Sequence, residues 1–303
     1  MEEWRLLDLG SQDPYTIQSV YEAIAEGVGR GEVPSTLVLC YPREPYVCIG
    51  VHQILRLEVD LEKCRELGIG IVRRQVGGGA VYLDDGQQFY HVVVPADYPP
   101  ARKGIARFFE YFLRPVVEFY RSYGLDAKYK PVNDVVVGEK KISGNGAARL
   151  YESMVLIGNV IVDFDCEKMA SVLKVSSEKF RDKLLKTLRA YVTSLRAELG
   201  YAPPREEIVE RLAESFENTL GIELVESELT ERELELLDSI KRRISSEEWL
   251  YMRDLEHQRL VDLAAGRKVK IREGHYLVQV DHKAEKLIRI LAEVVDGELR
   301  DLA

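Results

Sequence analysis

The stretch that most constrains this chain spans residues 72–95, VRRQVGGGAVYLDDGQQFYHVVVP. Arg73 and Arg74 precede the triplet Gly77-Gly78-Gly79, and a short apolar run, an Asp84-Asp85-Gly86 turn and a second apolar run follow. Glycines have no Cβ, so the backbone here can adopt positive φ and a ligand can lie directly on the peptide groups. The two arginines supply forked cationic donors for a phosphate or carboxylate held there. By itself the stretch is open to two readings, an anion cradle or a flexible turn flanked by surface arginines.

At 303 residues the chain has material for one large domain or two, with a sizeable core. A composition 46% hydrophobic and 31% charged is that of an ordinary water-soluble fold. The net charge of -9 argues against a broad grip on nucleic acid, while leaving room for a local basic pocket. No apolar run approaches the ~18–20 residues that cross a bilayer, and the start, MEEWRLLDLG, lacks the pattern of a signal peptide. Cys40, Cys48, Cys64 and Cys166 are scattered without a CxxC pair, so neither a disulfide framework nor a cysteine metal site is expected. A reducing cytoplasm is the expected compartment, with no membrane and no nucleic acid as partner.

Taken in order, Asp13-Pro14 reads as a helix start, with Ile17, Val20, Tyr21, Ile24, Ala25 and Val28 as one apolar stripe. Residues 36–41 and 46–50 read as adjacent strands joined by a tight loop, and residues 60–67 as a short helix. The Asp84-Asp85-Gly86 turn predicts a hairpin between residues 80–83 and 87–94. Ile105, Phe108, Phe109, Phe112, Val116 and Val117 mark a second amphipathic helix ending near Gly124. A hairpin is expected around Gly138-Glu139, then a strand over 154–164, then mostly helix from Cys166, with strands, or a strand and a short helix, in the tail after Gln258. Such alternation points to an α+β chain with mixed sheets more than a strictly parallel one.

A second cluster occupies residues 130–149, KPVNDVVVGEKKISGNGAAR. Asn133-Asp134 places an amide beside a carboxylate at the mouth of a strand, and Lys141 follows in Lys-Ile-Ser-Gly next to Gly144 and Gly146. A lysine so placed is suited to bridging a carboxylate and a phosphate, although Lys140-Lys141-Ile142 after a turn also fits a solvated edge strand. Together the two clusters resemble the lipoate–protein ligase A family, part of the wider biotin/lipoate ligase and octanoyltransferase group. The resemblance rests on Arg73-Arg74-x-x-Gly77-Gly78-Gly79-Ala80-Val81-Tyr82, on Asn133-Asp134 and on Lys141-Ile142-Ser143-Gly144. Residues 191–195 and Glu248-Trp249 add weaker similarity, and the match is collinear from about residue 5 to 255.

The resemblance implies a class II aminoacyl-tRNA/biotin synthetase-like catalytic domain, mixed α/β with largely antiparallel sheets flanked by helices. It would occupy residues 1–255, followed by an extension over 256–303 that looks like the opening strands of the family's accessory domain. The implied reaction joins lipoate to AMP at the expense of ATP, then passes the acyl group to a lysine of an apo lipoyl domain. The acceptor would be a 2-oxoacid dehydrogenase E2 or a glycine cleavage H protein, and a separate accessory polypeptide is an expected partner. Lys141 would be catalytic, neutralising carboxylate and phosphate as they meet. Arg74 would bind phosphate, while Gly77, Gly78, Gly79, Ala80, Val81, Tyr82, Asn133 and Asp134 would bind ATP and the lipoyl-adenylate. Asp134 would also hold Mg²⁺, and the apolar strands around residues 72–76 would shelter the dithiolane tail.

The chain departs from the family at two places. Many members carry a histidine after the glycine strand, where this chain has Leu83-Asp84-Asp85-Gly86-Gln87; Leu156-Ile157 precede Gly158 where relatives often have histidines. The nearest rival is an octanoyltransferase fed by an acyl carrier protein. Such enzymes use a cysteine thiolate near the lysine, just before the Asn-Asp pair or the Gly158 region, and neither stretch holds a cysteine here. A biotin ligase would show a Gly-Arg-Gly-Arg type loop, which is absent. A non-catalytic lipoyl-binding scaffold is disfavoured by the presence of both Arg74 and Lys141.

Overall fold

In the computed structural model, residues 1–265, 268–272, 275–283, 287–295 and 298–302 are described. The chain forms two compact units, Met1–Leu250 and Tyr251–Ala303. The first unit opens with β1 (Glu2–Gln12) and α1 (Pro14–Arg30), whose start is fixed as expected: the Asp13 carboxylate accepts from the Tyr15 and Thr16 amides and Pro14 is the first helical residue. Next come β2 (Thr36–Pro42), β3 (Tyr46–Ile49), α2 (Leu55–Glu58), α3 (Leu61–Leu67), β4 (Gly70–Arg73), β5 (Val81–Leu83) and β6 (Gln87–Pro95). Helices α4 (Pro99–Arg102), α5 (Ile105–Phe112) and α6 (Arg114–Ser122) follow, then strands β7 (Ala127–Lys130), β8 (Asp134–Val137), β9 (Lys140–Leu150) and β10 (Ser153–Ile161). Beyond them lie α7 (Cys166–Val172), α8 (Glu178–Tyr191), α9 (Leu195–Leu199), α10 (Arg205–Leu220), β11 (Ile222–Glu226), α11 (Glu231–Ile244) and α12 (Glu247–Ala265).

Eight strands form the main sheet in the order β11-β1-β2-β6-β10-β9-β8-β7, in which β1 runs parallel to β2 and β11 and every other pair is antiparallel. A second, three-stranded sheet has the order β4-β3-β5. The fold class is therefore the expected one, α+β with mixed and largely antiparallel sheets. The main sheet is buried on both faces. One carries a cluster of Trp4, Phe108, Phe112, Phe119, Leu212 and Phe216 under α5, α6 and α10, and the other packs α1 and α11 through Tyr21, Ile24, Leu237 and Ile240. Each such fully buried side chain contributes roughly 1.5–3 kcal/mol, and burial on both faces is why β6 shows no alternation: Phe89, Tyr90, Val92, Val93 and Val94 are all buried.

Three expectations fail in an instructive way. β2 and β3 do not pair: β2 joins the main sheet and β3 the small one, so Pro42 and Pro45 carry the chain between sheets. The same is true of β5 and β6, where Asp84 Oδ1 accepts from the Gly86 amide at 2.9 Å to close a turn that likewise changes sheets. A local turn signal fixes where the chain bends and says nothing about which strand it meets afterwards. The helix expected to run towards Gly124 is two, α5 and α6, divided at Leu113 because Pro115 cannot donate within a continuous helix.

The second unit contains a four-stranded antiparallel sheet of β12 (Lys268–Arg272), β13 (His275–Lys283), β14 (Leu287–Val295) and β15 (Glu298–Leu302). No described helix is long and apolar enough to cross a membrane.

Candidate active site

The two sequence clusters meet around a mostly apolar cavity of about 320 Å³, near the lower end of the ~300–1,000 Å³ usual for small-molecule sites. Arg74, Gly77, Gly78, Gly79, Val81 and Tyr82 line it from one side, and Asn133 and Lys141 from the other. Ala80 and Asp134 are not among the lining residues; Ala80 leads the loop into β5, and Asp134 reaches the site through an ion pair, its Oδ1 standing 2.7 Å from Lys141 Nζ. Both side chains are about one-third exposed, so the pair is worth only ~0–1 kcal/mol. It can therefore be exchanged for a bound anion at little cost.

β9 positions the lysine. The strand runs from Lys140 through Gly144 and Gly146 to Leu150. The Lys141 carbonyl accepts from the Thr193 amide at 2.8 Å, which ties the segment after α8 to the site. Leu188 and Val192 close that side of the cavity.

The loop of glycines is held from beneath. Gly78 has φ +103, a conformation that excludes other residues, and a Cβ there would stand 2.8 Å from Arg74 Nη2. The Arg74 guanidinium is buried and turned inward: Nη2 donates to the carbonyls of Gly77 at 2.8 Å and Gly79 at 2.9 Å, Nε to Gly77 at 3.2 Å, and Nη1 to Cys48 at 3.2 Å. Arg74 thus serves first as the clamp of the glycine loop. Arg73 points elsewhere, donating to Gly50, Val51, Gln53 and Leu250 carbonyls, while Trp249 Nε1 donates to the Arg73 carbonyl.

The shelter for an apolar tail differs from the expectation. Val72 and Val76 belong to the core, whereas Val81, Leu83, Phe89, Ile157, Ile161 and Met169 line the cavity. Leu83 is part of this apolar wall.

A polar network missed at the sequence level supports Asn133. The Tyr90 hydroxyl donates to Asn145 Oδ1 and lies 3.0 Å from Ser143 Oγ; Asn145 Nδ2 donates to the Asn133 carbonyl at 2.9 Å, and Asn133 Nδ2 to the Asn145 carbonyl. Asn159 Oδ1 accepts from the Gly144 amide at 3.0 Å. The sequence signal is the alternation of Ser143 and Asn145 among the small and apolar residues between Ile142 and Ala148.

Burial raises the thiols of Cys40, Cys48, Cys64 and Cys166 above the usual range, Cys64 to about 11. Cys48 alone of the four lines the cavity, wholly buried, with its sulfur 3.6 Å from Arg74 Nη1. Among the described residues no three His, Cys, Asp or Glu side chains gather as a metal site.

Residues 13–217 match the model of the lipoyl protein ligase A/B catalytic domain. The chain belongs to that family. It is 32% identical over 273 residues to octanoyltransferase LipM of Kyrpidia tusciae, covering 83% of this chain and 99% of the relative. It is also 32% identical over 259 residues to lipoate-protein ligase A subunit 1 of Thermoplasma acidophilum, covering 82% and 96%. Among solved structures, a bi-partite lipoate protein ligase from Thermoplasma acidophilum, described with its E2 lipoyl domain, superposes with a TM-score of 0.75 at 33% identity, covering 82% of this chain and 96% of that one. A lipoate-protein ligase A bound with ATP gives 0.72 at 28% identity, covering 84% and 100%. The chain is thus a member of a group of lipoate ligases and octanoyltransferases.

Proposed function

We propose that the chain acylates a lysine of a lipoyl domain and that it draws the acyl group from an acyl-adenylate, as a lipoate–protein ligase. The observation that carries this reading is Lys141 at the mouth of an apolar cavity walled by the glycine loop, with no activated thiol near it. An acyl carrier mechanism needs a thiolate of lowered pKa; Cys48, the cysteine of the cavity wall, is pushed the other way by burial.

In the first step a carboxylate oxygen attacks the α-phosphorus of ATP, an O–P bond forms, and pyrophosphate leaves. Two anions are pressed together, and Lys141, released from Asp134, neutralises both and the charge that grows on the phosphoryl oxygens. The backbone of residues 77–79 would line the adenylate. In the second step the acceptor's neutral lysine amine attacks the acyl carbon, a C–N bond forms as the acyl C–O bond to AMP breaks, AMP leaves, and the surplus amine proton passes to solvent. Mg²⁺ is commonly held by one or two carboxylates together with substrate phosphates. Asp134 suits that role once nucleotide phosphates are present, and the ion would supply charge neutralisation there.

The second reading is transfer of an octanoyl group from an acyl carrier protein, favoured by the relatives named octanoyltransferase LipM. One assay separates the two: acylation of an apo lipoyl domain with lipoate plus Mg-ATP against octanoyl-acyl carrier protein. Product from the first donor is expected, and product from the carrier-protein donor alone would sink the ligase reading. We place the catalytic domain at residues 1–255 and an extension at 256–303. The bi-partite Thermoplasma ligase supports an accessory polypeptide in the adenylation step; full-rate lipoyl-AMP synthesis by the chain alone would contradict this.

A further inference from the structure

The cavity has ends of opposite character. Lys141 and its partner Asp134 are about one-third exposed, whereas Gln18 is 2% and Cys48 0% exposed at the inner end. Gln18 extends from α1 on the face it shares with Tyr21 and Ala25, both part of the apolar core. Its Nε2 donates to the Tyr46 hydroxyl at 2.8 Å. Its Oε1 is buried and makes no hydrogen bond among the described residues. Interiors rarely leave such a group unpaired, because its desolvation is not offset. A half-turn about Cγ–Cδ exchanges the two ends of the amide: the oxygen then accepts from Tyr46, and the NH₂ becomes a free donor. In either orientation one end of the Gln18 amide keeps its hydrogen-bonding capacity for the occupant of the cavity.

We infer that Gln18 sets the acyl-chain preference of this cavity, selecting a chain with a polarisable heteroatom near its far end, such as the dithiolane sulfurs of lipoate, over a plain chain such as octanoate. This rests on the acyl-group reading above. A dithiolane sulfur accepts, weakly, from the amide NH₂, and the Cys48 sulfur adds a soft contact. A terminal methyl offers the amide nothing and leaves it dry and unpaired. Sites built to bond a polar group reject analogues that lack it. Because sulfur is a weak acceptor, the expected preference is about tenfold, well below what a hydroxyl would give.

The test is calorimetric titration of the full chain with lipoate and with octanoate, in the presence and absence of Mg-ATP. Wild-type protein is expected to bind lipoate about tenfold more tightly. Gln18→Leu and Gln18→Met are expected to bring the ratio close to one, chiefly by improving octanoate binding, with thermal midpoints recorded so that a damaged fold shows separately. Equal wild-type affinities overturn the inference without recourse to any variant, and so does an unchanged ratio in a folded variant. If neither acid binds, the reading as a ligase of free acids falls and takes the inference with it, so the two failures are told apart.

Discussion

The Tyr90 hydroxyl bonds Asn145 across a strand that lies between their own. Gly158 on β10 pairs with Tyr90 of β6 on one side and Asn145 of β9 on the other, and its missing side chain is the gap through which they meet. A Cβ at position 158 would stand 2.1 Å from Asn145 Oδ1 and 2.4 Å from the Tyr90 ring.

Gly158→Ala is therefore expected to break the network that holds Asn133. Overpacking of this kind costs about 1–3 kcal/mol, so a melting temperature lowered by several degrees should accompany a more than tenfold slower acylation. Calorimetric melting and initial-rate measurements check it; a variant indistinguishable from wild type in both would show that the network is not needed.

Lys141→Ala should lose roughly 10²–10³ in acylation rate while melting normally, because a preorganised cation matters to the reacting anions while its partly exposed pair with Asp134 adds little stability. Circular dichroism alongside turnover decides this. Unimpaired turnover would remove Lys141 from the mechanism.

Arg74→Lys keeps the charge but replaces a rigid fork by one ammonium, which cannot reach the Cys48, Gly77 and Gly79 carbonyls together. The expected outcome is faster limited proteolysis within residues 75–80 and a KM raised several-fold, with kcat changed less. A rise in kcat/KM would contradict the clamp.

His91 gives a pH dependence of known sign. Its ring is buried between Tyr21 and Phe89, neither nitrogen has a hydrogen-bond partner among the described residues, and burial lowers its pKa from 6.5 to about 3. Below pH 6.5 the unfolded chain takes up a proton that the folded chain refuses. Stability accordingly falls as pH drops from 6.5 towards 3 and levels off once the folded ring is protonated too. By pH 5 the loss is about 2 kcal/mol. Urea denaturation at pH 7 and pH 5 should show His91→Leu losing about that much less than wild type; equal losses would refute the assignment.

Much of the site was legible in the sequence because its chemistry is local: glycines that free a loop, Asn133-Asp134 at a strand mouth, a lysine seven residues on. The α1 boundaries were legible for the same reason, Asp13 and Pro14 acting on their own neighbours. Partnership was not. The residues around Pro42–Pro45 and Asp84–Gly86 bend the chain correctly, yet strand choice depends on surfaces assembled from distant segments, and the expected strand pair and the expected hairpin there both become crossings between sheets, whereas the hairpin at Gly138-Glu139 forms between β8 and β9. Gln18 is not legible in the sequence, because a single amide on an apolar helical stripe gives no sign of the cavity that it lines. Arg74 looked like a free hook because nothing in Arg-Arg-x-x-Gly-Gly-Gly reveals that the fork bends back on its own loop.

Arg73 gives the chain a timetable. Its buried guanidinium needs the Leu250 carbonyl, 177 residues further along, and its own carbonyl takes the Trp249 indole. While the chain is being synthesised, the segment bearing both arginines emerges early and waits, one cation only partly solvated by protein, until residues 249–250 leave the ribosome. The brace behind the glycine loop is thus encoded near the beginning and finished near the end, and a chain cut short of Trp249 carries both sequence clusters without it.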